Sequence, residues 1–193
     1  MKRICVYCGA SHGKREAYRE TAELLGQELL KRGLGLVYGG GSVGLMGIIA
    51  DTVMAGGGEV IGVIPEGLMG KEVDHQGVTA LHVVDSMHTR KGLMAKLADG
   101  FIAMPGGLGT MEELFETWTW GQLGFHDKPC GLLNSAGYYD SFYTFLDNMV
   151  AEGFVRPKHR GMLMVADEPA ELLDLLANYK PPTVKRWLDE TDL

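Results

Sequence analysis

Five short apolar runs set the terms for this chain. They are "RICVYC" (Arg3–Cys8), "LGLVYG" (Leu34–Gly39), "EVIGVIP" (Glu59–Pro65), "GFIAMP" (Gly100–Pro105) and "PCGLLN" (Pro129–Asn134). Within them, "VIGVI" and "FIAM" show no polar alternation, which marks strands covered on both faces. Two more runs, "LHVV" (Leu81–Val84) and "MLMVAD" (Met162–Asp167), read the same way. Longer stretches at helical spacing separate them: Lys14–Arg32 (with Ala17, Leu24, Leu25 and Leu29), Val43–Ala55, Ser86–Leu97, Thr110–Gln122, Tyr138–Glu152 and Ala170–Tyr179. Glu66–Ala80 is polar and glycine-containing, and reads as a surface loop. Strands alternating with helices predict right-handed crossovers. The expected fold is α/β: a Rossmann-like three-layer sandwich with a mostly parallel sheet and helices on both faces. One domain over residues 1–193 is expected, with a charged tail after Pro181-Pro182 packing loosely.

Composition narrows the partners. The chain has 18 basic and 25 acidic side chains, a net charge of −7, and no basic run. That argues against a long nucleic acid as ligand. A single small phosphate remains possible, held by backbone N–H groups. The three cysteines, Cys5, Cys8 and Cys130, are too few and too odd in number for a disulfide framework. Cys5-x-x-Cys8 has redox spacing but lies in a strand-like run, so buried thiols are expected. No second Cys/His pair completes a zinc site. No membrane-spanning run or signal peptide is read, and a cytoplasmic protein is expected.

The 28 glycines cluster after the strands, where open α/β sheets bind ligands. After the first strand, "CGAS" (Cys8–Ser11) reads equally as a ligand loop or a plain turn. After the second, "YGGGSVGLMG" places Gly40, Gly41, Ser42 and Gly44 at a helix start. Gly39-x-Gly41-x-x-Gly44 matches the dinucleotide fingerprint, with Glu66 at the spacing of a ribose-binding acid. A dinucleotide-binding oxidoreductase is therefore one reading. After "FIAM", "MPGGLGTMEELFE" (Met104–Glu116) combines three glycines with carboxylates. Thr110-x-x-Glu113 has capping-box spacing, so Thr110 is expected at the N-cap and Glu113 bonding back to it. A cap alone requires neither the glycines nor a second glycine loop.

The helix "DSMHTRKGLMAK" (Asp85–Lys96) has Asp85 or Ser86 as its cap. Met87, Arg90, Lys91 and Met94 share one face. Arg90 there either reaches water or meets a buried anion. His88 points away from that stripe. His126-Asp127, before Lys128-Pro129, reads as a turn and not as a catalytic pair.

"PGGLGTMEE" and "SMHTRKGLM" resemble the PGGxGTxxE and MHxRKxxM signatures of the lonely guy family, whose members were formerly called lysine decarboxylases. "YGGGSVGLMG", "TWGQLGFHDKP" and "GLLNSAGYY" extend the similarity over roughly Ile4 to Phe154. The resemblance implies a phosphoribohydrolase that cleaves the N-glycosidic bond of nucleoside 5′-monophosphates, AMP or cytokinin ribotides, to free base and ribose 5-phosphate. It implies Arg90 and Glu113 as the catalytic pair. It implies nucleotide contacts from Glu72, Lys91, Gly107, Leu108, Gly109, Thr110, Met111, Glu112 and Thr119, with Met87 and Gly106 close by. It also implies a homodimer, with no cofactor and no metal. Ser86, Ala10 and Leu108 depart from residues common in the family and leave base preference open. A nucleotide-binding module without turnover is the remaining alternative.

Overall fold

The computed structural model describes residues 1–68, 75 and 77–183. Seven strands are described: β1 (Arg3–Tyr7), β2 (Gly35–Tyr38), β3 (Val60–Pro65), β4 (Ala80–Val84), β5 (Gly100–Ala103), β6 (Cys130–Leu133) and β7 (Leu163–Ala166). They form one sheet in the order β4-β3-β2-β1-β5-β6-β7. Every neighbouring pair is parallel. The helices are α1 (Glu16–Lys31), α2 (Gly44–Ala55), α3 (Met87–Leu97), α4 (Leu108–Leu123), α5 (Asp140–Ala151), α6 (Pro157–Arg160) and α7 (Pro169–Ala177). The short α6 adds to the elements expected from periodicity. Glu66–Leu68 forms a 3-10 turn inside the expected loop.

Side-chain alternation splits the core into two layers. Ile4, Val6 and Cys8 pack with α1, α2 and α7, while Cys5 and Tyr7 pack with α3, α4 and α5. The two cysteines of the C-x-x-C spacing therefore sit on opposite faces, and all three thiols are free and buried. Full burial of a side chain such as Leu25, Ile49 or Phe101 stabilises the fold by roughly 1.5–3 kcal/mol.

The chain runs outward from β1 to β4, then returns to the other side of β1 with β5. The order reverses between β1 and β5, and in parallel sheets a crevice opens at the carboxyl ends beside such a switch. Here the two loops that flank it are joined, because Gly9 N donates to Pro105 O at 3.0 Å.

The glycine loop after β2 has a structural task at its third glycine. Gly44 has φ +61, and a Cβ there would collide with the backbone of Ala10 and Ser11. Leu45 N, in the first turn of α2, donates to Gly9 O at 3.0 Å. One of the first-turn donors that would hold a dinucleotide pyrophosphate, Leu45 N, is thus taken by the loop after β1. Glu66 is exposed, in the 3-10 turn. These contacts speak against the dinucleotide reading, although the spacing of letters matches it.

Gly44→Ala should therefore lower the chemical-denaturation midpoint, by about 1–3 kcal/mol of stability, from left-handed strain and the collision together. An unchanged midpoint in urea would show that the loop yields without cost.

Candidate active site

Ser86 caps α3, its Oγ accepting from Thr89 N at 3.1 Å, while Asp85 accepts from the Thr89 hydroxyl at 2.6 Å. This start sets the helix's rotation, and Arg90 then turns inward and is only 7 % exposed. Its Nε donates to Val63 O in β3 at 3.0 Å, and Nη2 to Gly39 O just after β2 at 3.4 Å. Nη1 lies 3.8 Å from Met87 Sδ and 3.5 Å from Glu113 Oε1. Gly39 makes room for this arrangement, since a Cβ there would collide with Arg90 Nη2. The structure thus chooses the buried-anion reading of Arg90 over the solvated one.

Glu113 comes from α4 and is 8 % exposed. Its Oε1 has no hydrogen-bond partner among the described residues, so Arg90 offers it charge without a hydrogen bond. Burial pushes the carboxyl up to about 7; Arg90 and Lys91 pull it down, and Glu112 and Glu116 push it further up. The expected capping box is absent. The helix begins earlier, with Gly107 at the N-cap and no side-chain cap. Thr110 lies inside the first turn, and Glu113 does not bond back to it. The reason is tertiary. The turn before α4 is fastened from outside, so the backbone enters helical geometry before Thr110.

Those fastenings come from the loop after β6. The Tyr138 hydroxyl donates to Gly106 O at 2.5 Å, and the Tyr139 hydroxyl to Met104 O at 2.7 Å. Neither phenol has a role that sequence alone assigns, although both fall in "GLLNSAGYY". Gly107, Leu108 and Gly109 are at the surface, Leu108 being 92 % exposed. The first-turn N–H groups of α4 therefore sit at an open surface without a side-chain cap, where helix starts attract anions.

Lys91 is 4 % exposed, and its Nζ lies 2.8 Å from Glu112 Oε1 and 3.0 Å from Glu116 Oε2. Sequence reasoning misses Glu116; its i, i+4 spacing from Glu112 is the available signal. Met111 is half-buried, and Met87 is exposed beside Arg90.

Other expected residues stand apart. Thr119 is exposed on α4, six residues beyond Glu113 and on a different side of the helix. Ser42 and Gly44 line a cleft with Ala10, Ser11, His12 and Asp51. Gly40 O accepts from His75 N at 3.1 Å, and Gly41 is buried. Glu72 lies outside the described residues, as does the tail beyond residue 183. His126 is structural: its Nδ1 accepts from Lys128 N at 3.1 Å, which leaves Nε2–H to donate to Thr117 O at 2.9 Å. His88 is exposed, as expected.

Comparison with known proteins gives the chain's family. A family model described as possible lysine decarboxylase matches residues 46–176. A cytokinin riboside 5′-monophosphate phosphoribohydrolase of Arabidopsis thaliana is 50 % identical over 196 residues, covering 100 % of this chain and 90 % of its own. A second from the same plant is 52 % identical, covering 94 % and 85 %. A probable enzyme of the same name from Oryza sativa subsp. japonica is 51 % identical, covering 94 % and 74 %. Among solved structures, the molybdenum cofactor carrier protein of Chlamydomonas reinhardtii has a TM-score of 0.67 at 24 % identity, covering 92 % of this chain and 99 % of its own. The molybdenum cofactor binding protein of Rippkaea orientalis has a TM-score of 0.68 at 21 %, covering 92 % and 96 %. These two likenesses speak for the fold alone. With the paired signatures, the Rossmann-like sheet and half of all residues shared with these plant enzymes, the chain belongs to the lonely guy family, whose model bears the possible lysine decarboxylase description.

Proposed function

We propose that the protein hydrolyses the N-glycosidic bond of nucleoside 5′-monophosphates, AMP or cytokinin ribotides, giving free base and ribose 5-phosphate. One observation carries this reading: a buried carboxylate, Glu113, has an oxygen without a hydrogen-bond partner and faces a fixed guanidinium one to two turns beyond an uncapped helix start.

The geometry suits the substrate. The 5′-phosphate binds the backbone donors from Gly106 to Thr110. An α-helix rises about 1.5 Å per residue, so Glu113 lies roughly 7.5 Å along α4 from Leu108. Helical side chains lean toward the N-terminus, which brings the carboxylate back toward the ribose. Holding the phosphate therefore fixes the sugar against Glu113. As the C1′–N bond breaks, its electron pair leaves with the base, and positive charge gathers on the sugar. The Glu113 carboxylate stabilises that cation or takes a proton from the water that attacks C1′, as carboxylates do in glycoside hydrolysis. The departing base gains a proton from solvent, and the proton released by the attacking water returns to solvent, so that one water is consumed in all. Arg90 binds the substrate's phosphate or hydroxyls, or assists the leaving base, and keeps Glu113 in place.

Lysine decarboxylation by a Schiff base needs a neutral amine. Lys91 is its opposite. Burial lowers the amine's pKa, but its hydrogen bond to Glu112 and its pairing with Glu116 more than offset this and hold it above the ordinary value.

The same proposal includes a homodimer in the cytoplasm. Thr119 faces outward, so a contact from it to nucleotide is one for a second copy to supply. Among the described residues, no helix is long and apolar enough to cross a membrane.

Purified protein should release ribose 5-phosphate and free base from AMP or a cytokinin ribotide. Glu113→Gln and Arg90→Ala should each lose about 10²-fold or more in kcat while keeping the wild-type circular dichroism spectrum. Nucleotide-dependent thermal stabilisation without turnover would leave only the binding module. Gly39→Ala, which displaces Arg90, should lower kcat on the order of tenfold with the fold retained; full activity would free Arg90 from this geometry.

Because Glu113 acts as a carboxylate, kcat/KM should rise with pH through a limb near 7, the value set chiefly by burial. A limb near 6 would report the substrate phosphate instead (second pKa about 6). Stability moves the other way. The folded carboxyl titrates at about 7 against 4.5 for an ordinary glutamate, so the folded protein holds this proton more tightly. Glu113 thus costs no stability below about 4.5 and its full cost above about 7. Glu113→Gln should gain in urea midpoint relative to wild type as pH rises through that window.

A further inference from the structure

Two adjacent cations on α3 address two sets of carboxylates on α4. Neighbouring helical residues point about 100° apart. Arg90 accordingly meets Glu113, while Lys91 turns to Glu112 and Glu116. Glu112 and Glu116, four apart, flank the turn that carries Glu113. Lys91 Nζ donates to Glu112 Oε1 at 2.8 Å and stands in an ion pair at 3.0 Å with Glu116 Oε2, an oxygen that has no hydrogen-bond partner among the described residues. Glu116 lies outside both signatures and has no part in the chemistry described above. Yet its side chain is only 26 % exposed, and it is paired with a lysine side chain that is 5 % exposed. A surface helix gains little from such a pair, and a buried ammonium costs much unless it is held on more than one side.

We propose that Glu116 is a positioning residue for the hydrolysis: with Glu112 it anchors the Lys91 ammonium beside Glu113, and this three-membered clamp sets the pH at which Glu113 becomes the working carboxylate.

The charges around Glu113 leave the clamp as the adjustable part. From β1 Cys5 and Tyr7, on the face that packs with α4, feel the charge of Glu113, and so does Cys8 from the other face just beyond β1. Burial is the chief cause that pushes their ionisation up, and the charge of Glu113 adds to it, so they stay neutral in the working range. From α3 come Arg90 and Lys91, and from α4 Glu112 and Glu116. Arg90 is held in place by two carbonyls. Lys91 is present to offset two carboxylates. Removing Glu116 takes one negative charge from the surroundings of Glu113 and favours its ionisation. Removing Lys91 leaves Glu112 and Glu116 unopposed and disfavours it.

The inference rests on the hydrolytic reading for its purpose, so the test has one arm with activity and one without. The first is the pH profile of kcat/KM for AMP in wild type, Glu116→Gln, Glu116→Asp and Lys91→Met. The second is carbon-13 NMR titration of the Glu113 carboxyl in glutamate-labelled protein, identified by its loss in Glu113→Gln. The acid limb and the NMR midpoint should fall in Glu116→Gln and rise in Lys91→Met, each on the order of half a pH unit. Glu116→Asp should stay near wild type. A purely structural role would lower kcat and leave both midpoints where they were. A Glu113 midpoint that is unmoved in either variant, or that moves the opposite way, overturns the clamp. Wild-type protein that releases no ribose 5-phosphate would overturn the hydrolytic reading, and the NMR midpoints would still decide the clamp.

Discussion

Arg90 is the joint on which the site turns. A parallel sheet brings the carbonyl ends of all its strands to one edge, and the last carbonyls there have no further strand residue to accept from. Arg90 donates to two carbonyls near that edge, Val63 O within β3 and Gly39 O just after β2, from a helix that packs on one face of the sheet. The bonds fix the guanidinium as part of the scaffold and leave its remaining edge toward Glu113. Position and charge thus come from the same side chain. Lysine could supply the charge but not the planar fork that serves two carbonyls and a carboxylate together.

Much of the fold was legible because period and punctuation agreed. Unbroken apolar runs gave the buried strands, 3.6-residue spacing gave the helices, and glycines marked the ends between them. Boundaries moved by one or two residues, as between Lys14–Arg32 and Glu16–Lys31. The helix after β5 is the instructive error. Thr110-x-x-Glu113 is a sound local signal, but two tyrosines, 32 and 35 residues from the carbonyls they hold, fasten the preceding turn. The helix then starts at Leu108. The Gly39-x-Gly41-x-x-Gly44 letters misled for a similar reason. Their third glycine answers to the loop after β1, and their first to a guanidinium from α3. Arg90 and Glu113 were named through a family resemblance, and geometry supplies what the resemblance lacked, the partners of each. Glu116 was not legible because a glutamate on a helix surface has no signature until the lysine opposite it is known.

On the proposed function, with phosphate and sugar placed as proposed above, the site also reconciles an acidic chain with an anionic substrate. Net charge is −7, and three glutamates crowd the turn after the phosphate cradle. Their repulsion is contained locally, by Lys91 for two of them and by Arg90 and burial for the third. The cradle itself uses backbone donors, whose partial charges act at hydrogen-bond range and fade beyond the first turn. Binding at close range is thereby separated from the long-range field. A carboxylate can then stand near a phosphate because it faces the sugar.

The bond from Gly9 to Pro105 joins loops that are 96 positions apart in the chain. Its two ends approach only after β1 and β5 have paired across everything between them, and closing so long a segment carries an entropic cost that must be met before any contact there is gained. The joined loops at the switch point therefore require both halves of the sheet to be in place. A nascent chain that has made β1 to β4 holds Arg90's carbonyl partners but has neither Glu113 nor the turn ahead of it. On the proposed function, a chain is competent for nucleotide only once its sheet has closed across its centre.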